Sequence, residues 1–173
     1  MIFNNILHTH HHSQANVRHE LTHTSQVRRM LAEKGLLWAS DYWSANVYQQ
    51  ASNTIYDADE SPYGHKGDPN WQIIALSEGW ANFRAWRMCN EHLGWPDYLN
   101  LSTDPAGFGR YFTDRNFPRN YGAMYDSLVV IGCSYQNIEK ALCAYSVGDF
   151  RNNLINKYPY ISEEIRQIIS IYE

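Results

Sequence analysis

Apolar and polar positions along this chain recur at helical spacing for most of its length. Gln14 to Lys34 contains no Pro or Gly, and Val17, Leu21, Val27 and Leu31 form an apolar stripe of roughly helical period. Ser13 reads as the N-cap of that helix and Gly35 as its C′ residue, with Lys34 in the last turn, where the helix dipole favours a cation. Leu36 to Ile55 reads as a second helix, carrying Trp43, Val47 and Ala51 at i, i+4 and i+8. Asp68-Pro69 is the strongest helix-start signal in the chain, an N-cap followed by Pro at the first helical position. The helix it opens passes through Trp71, Ile74, Glu78, Ala81, Ala85 and Met88 and ends near Gly94.

Other segments are shorter or less regular. Residues 2–8 suit a short strand, Tyr56 to Gly67 a polar loop, and Trp95 to Tyr121 an irregular stretch too long for an ordinary connection. Tyr125 to Cys133 fits a helix or a buried strand equally well. Ser134 is expected to cap a helix reaching about Tyr145, a short helix spans Asp149 to Lys157, and Ser162 caps a last one to Tyr172. The fold class expected is mainly α, α+β at most, in one domain over residues 1–173 that can be a piece of a longer chain.

Composition narrows the function. With 173 residues and 44% hydrophobic content, the chain can bury a sizeable core. A net charge of −4 gives no reason to expect a nucleic-acid partner or an anionic membrane surface. No apolar run approaches the length of a membrane span, and the N-terminus lacks the apolar segment of a signal peptide. Secretion or export as part of a longer protein remains compatible with this. Cys89, Cys133 and Cys143 are odd in number and lack metal-type spacing, which suits free buried thiols.

One pentapeptide carries chemistry. His19-Glu20-Leu21-Thr22-His23 places two imidazoles one helical turn apart, so both project from one face and can hold one metal ion. Glu20 lies beside them as a candidate general base. A third ligand is expected from Glu78, a carboxylate on a face otherwise lined by the small residues Ala75, Ala81, Asn82 and Ala85. Burying a carboxylate there is costly without a cationic partner. The bland alternative, an intrahelical pair with Arg84 or Arg87, has poor spacing. His65 and Asp68 are runner-up ligands, although Asp68 is better explained as a helix cap. The cluster His8, His10, His11 and His12 reads as an exposed polar turn able to take up adventitious metal.

On these motifs the chain resembles the gluzincin metallopeptidases, which include thermolysin and the aminopeptidase N-type enzymes. The stretch Leu76-Ser77-Glu78-Gly79-Trp80-Ala81-Asn82 stands where those enzymes carry their glutamate ligand. The resemblance implies a zincin-like helical catalytic domain with a short N-terminal strand or small sheet. It also implies one Zn2+ held by His19, His23 and Glu78, with Glu20 as catalytic base. Asn82 falls where some members place an aspartate that orients a histidine ligand. The specific likeness covers about Val17 to Asn82. The connection from His23 to Glu78 is longer than the family's usual one, and metzincin continuation is excluded by Gln26 and Arg29.

The function expected is therefore zinc-dependent hydrolysis of peptide bonds in a peptide or protein substrate, by endopeptidase action. The alternative is a catalytically inactive, zincin-like helical interaction domain. Tyr111, Tyr121, Tyr125 and His92 are the candidates for stabilising the oxyanion.

Overall fold

The computed structural model describes residues 2–56, 71–93, 121–170 and 172–173, and the side chains of α1 from Val17 onward. Seven α-helices account for nearly all of the described residues, which include no strand: α1 (Ile2–Lys34), α2 (Leu36–Tyr56), α3 (Trp71–Leu93), α4 (Tyr121–Val130), α5 (Tyr135–Ala141), α6 (Val147–Lys157) and α7 (Ser162–Ser170). A 3-10 turn, Pro159–Ile161, leads into α7.

α3 is the hub, packing on α1, α2, α4 and α6. Its first half is buried on nearly every side, from Trp71 through Ile73, Ile74, Ala75, Leu76, Trp80 and Ala81. A helix that is apolar all round needs neighbours all round. The larger core joins α3 to the C-terminal helices through Trp80, Phe83, Tyr121, Met124, Tyr125, Leu128, Phe150, Leu154, Ile165 and Ile169. A smaller core beneath α1 and α2 holds Met30, Ala39, Tyr42, Ile73 and Cys143. All three cysteines are free and buried, as their spacing predicts.

Two glycines end helices in the left-handed region. Gly35 has φ 85° and donates to Leu31 O at 3.1 Å, closing α1 as expected, while its own carbonyl accepts the first bond of α2 from Ala39. Gly132 has φ 100°, with Cys133 N donating to Leu128 O at 2.9 Å and Gly132 N to Val129 O at 3.0 Å, the two bonds of a Schellman motif.

Several expectations are corrected. Residues 2–8 are helical, because α1 begins at Ile2 and runs through Ser13, which is therefore no cap. An unpaired strand would leave a row of orphan N–H and C=O groups, whereas extending the helix satisfies them and meets no Pro or Gly. The stripe of Val17, Leu21 and Leu31 faces water, at 59%, 59% and 39% exposure; Thr22, Gln26 and Met30 face inward instead. α2 is rotated likewise: Ala39, Tyr42 and Asn46 are buried, and Val47 is exposed. The stretch from Tyr125 is helix rather than strand, but the helix starts earlier, at Tyr121, and ends at Val130, short of Cys133. α5 stops at Ala141, short of Tyr145, and α7 stops at Ser170. Asp68, His65, the Tyr56–Gly67 loop beyond Tyr56 and nearly all of Trp95–Tyr121 lie outside the described residues.

Candidate metal centre

The inward face of α1 is polar because its partners on α3 are polar. His19, Thr22, His23 and Gln26 lie along the seam with Ser77, Glu78 and Asn82, where Ala75, Ala81 and Ala85 allow close approach. His19 Nε2 lies 3.2 Å from Glu78 Oε2, and His23 Nε2 lies 3.3 Å from Glu78 Oε1. The two imidazole Nε2 atoms are 3.0 Å apart. Two imidazole nitrogens and both oxygens of one carboxylate thus converge. Neutral imidazoles presenting lone pairs to each other and to a carboxylate repel, so the arrangement calls for a proton or a metal cation at its centre.

The spacing suits a tetrahedral ion. Ligand atoms about 2.0–2.1 Å from zinc stand about 3.3 Å from one another. The nitrogen–nitrogen distance of 3.0 Å and the nitrogen–oxygen distances of 3.2 and 3.3 Å, each to a different oxygen of the Glu78 carboxylate, are close to that spacing. Among the described residues, His19, His23 and Glu78 are the group able to hold a metal. The side chains of His19, His23 and Glu78 keep 16%, 14% and 8% exposure, so one side of the cluster remains reachable from solvent.

Behind each imidazole stands an amide. His19 Nδ1 meets Asn82 Oδ1 at 3.1 Å, and His23 Nδ1 meets Gln26 Oε1 at 2.9 Å. Such supports turn Nε2 toward the shared point. Trp43 of α2 closes a flank, its ring T-shaped against His23 at 5.6 Å.

Electrostatics follow from this geometry. Burial alone pushes the Glu78 carboxyl up, but hydrogen bonds and charge from His19 and His23 outweigh it and hold it at about 2. Burial lowers His23, yet its bond to Glu78 and that carboxylate's charge prevail, so its pKa is raised. The salt bridge to Arg84 or Arg87 is not what holds Glu78: Arg84 lies 4.0 Å over the Tyr135 ring, and Arg87 pairs with Asp126 at 3.4 Å.

Other sequence candidates separate clearly. Glu20 is exposed and next in the chain to His19; its charge acts on His23 without joining the cluster. Tyr121 and Tyr125 are buried and donate to backbone carbonyls, of Tyr172 at 3.4 Å and Leu76 at 2.8 Å. Neither hydroxyl is free to stabilise an oxyanion. Tyr111 and the side chains of His92 and of His8 to His12 lie outside what is described. Sequence reading missed Gln26 as a histidine support; its position three residues beyond His23, on the same helical face, was the available signal. Ser77 and Trp43 left no comparable signal. No protein-family profile, curated protein or solved structure matches this chain.

Proposed function

We propose that the chain is a zinc-dependent peptide-bond hydrolase, with His19, His23 and Glu78 as metal ligands and Glu20 as general base. The observation that carries the reading is the convergence of two imidazole Nε2 atoms and the Glu78 carboxylate, at separations near those between the ligands of one zinc ion. A bound zinc ion supplies Lewis acidity, polarising the scissile carbonyl and lowering the pKa of an attacking water toward about 7. Glu20 takes the proton that this water loses as its oxygen adds to the carbonyl carbon. It then returns the proton to the amine nitrogen as the C–N bond breaks. The exposure of Glu20 leaves its carboxylate accessible for that transfer. The peptide or protein substrate reaches the cluster from its solvent side.

A second reading has its own observation. Glu20 has no place among the clustered groups, which suits a helical interaction domain that holds metal without turnover. Two measurements separate the readings. Elemental analysis of tag-free protein is expected to find one zinc per chain, lost in His19→Ala; iron instead would reassign the chemistry, since two imidazoles and a carboxylate also suit Fe(II). Digestion of a peptide library is expected to proceed with zinc and stop with chelator. Bound zinc without any cleavage would sink the hydrolase and leave the interaction domain.

A further inference from the structure

We infer that Gln26 is a positioning residue: it locks His23 as the Nδ1–H tautomer and ties that imidazole to the backbone adjoining Glu78. The metal role of His23 rests on the function proposed above; the lock itself rests on geometry alone.

Gln26 is 1% exposed, and the bonds at both ends of its amide are accounted for. Its Nε2 donates to the Ser77 carbonyl at 3.2 Å. A carbonyl oxygen only accepts, so this bond fixes which end of the amide is nitrogen. Its Oε1 accepts from Ser77 Oγ at 3.2 Å and faces His23 Nδ1 at 2.9 Å. An amide oxygen only accepts, so the proton between them belongs to Nδ1. His23 Nε2 is then the lone-pair nitrogen, aimed at Glu78 and His19. Turning the amide over would set N–H against the hydroxyl and C=O against the Ser77 carbonyl, losing its bond to that carbonyl.

The same side chain sets register. Ser77 precedes Glu78 on α3, and Gln26 follows His23 by less than one turn on α1. One amide therefore couples the ligand from α1 to the segment that presents the ligand from α3. The support is also neutral. A carboxylate in its place would make the imidazole more basic, whereas an amide orients it without adding negative charge.

The test begins with unmodified, metal-free protein at alkaline pH, where His23 is neutral. Nitrogen-15 shifts of the imidazole are expected to show the proton on Nδ1; a proton on Nε2 would overturn the lock. Gln26→Met is expected to release the tautomer and weaken zinc binding about 10–100-fold. Retained Nδ1–H form with unchanged affinity in Gln26→Met would overturn the inference as well. Gln26→Glu keeps the acceptor but loses the donor to Ser77. It is expected to melt at lower temperature while His23 keeps its tautomer, an uncoupling that a purely structural glutamine would not produce. Protein that binds no zinc yet shows the Nδ1–H form would uphold the lock and overturn the metal reading separately.

Discussion

The seam between α1 and α3 and the packing of α4 to α7 on α3 are built on opposite logic. In the C-terminal half the buried side chains are overwhelmingly apolar, and polar groups serve as caps or clamps. Ser134 and Ser146 accept from the N–H groups of Asn137 and Asp149, and Tyr158 Oη accepts from Ser134 N at 2.8 Å. At the α1–α3 seam, Thr22, Gln26, Ser77 and Glu78 are buried, and Val17, Leu21 and Leu31 of α1 face water. A chain selected only for stability would bury Val17 and Leu21 and expose the histidines. The reversal is what the proposed metal centre asks of the seam, while the C-terminal half supplies most of the apolar core.

The strongest way to break that contrast is to remove Glu78. Glu78→Ala is expected to weaken zinc binding by more than the roughly 10–100-fold typical of outer supports. Phe150→Ala, in the apolar half, is expected to cost about 3–5 kcal/mol of stability. Zinc affinity of the folded Phe150→Ala molecules should stay unchanged. Calorimetric zinc titration and denaturant unfolding on both variants check this; stability and affinity falling together in each would erase the distinction. Glu20→Gln sharpens it further: turnover is expected to drop about 10²–10⁴-fold with zinc retained, and preserved hydrolysis would remove Glu20 from the base role.

The pH dependence of the metal-free protein should arise at the seam. Glu78 sits at about 2, below its usual 4.5, so its contribution is present above 4.5 and is lost as pH falls through about 2. His23 is raised above 6.5, so its contribution is complete below 6.5 and is lost as pH rises through the raised value. Both are in force between 4.5 and 6.5. Melting temperature in chelator is expected to be highest there and to flatten in Glu78→Gln. On the proposed reading zinc would displace the protons, so its affinity should instead climb with pH across this range.

Much of the fold was legible where the signals were local. Gly35 needs only its own φ, and the Ser134 cap needs only the N–H three residues on. The meeting of His19, His23 and Glu78 was legible because i, i+4 histidines share one face and a carboxylate among alanines needs a partner there. Which face of α1 turns inward was not. Periodicity locates a stripe, but only the polar partners on α3 decide that the histidine side is buried. The N-terminal strand failed for a related reason: a short apolar run without neighbours says little about its period, and here the helix simply continues through it.

The smallest expected effect completes the contrast. Ser134 has extended backbone at φ −73° and ψ 148°, with its Oγ accepting from Asn137 N at 3.2 Å. Ser134→Ala removes that bond and is expected to cost about 1 kcal/mol. Tyr158 Oη still accepts from Ser134 N, so the entry to α5 should hold its place. α5 touches α1 through Glu139, which accepts from Ser25 Oγ at 3.1 Å and Trp80 Nε1 at 3.3 Å. That is the route by which fraying of α5 would reach the seam. Unchanged zinc affinity in Ser134→Ala, measured beside the lowered unfolding midpoint, is the outcome expected if the two halves are energetically separate. A parallel loss of affinity would show that α5 helps to hold α1 in register.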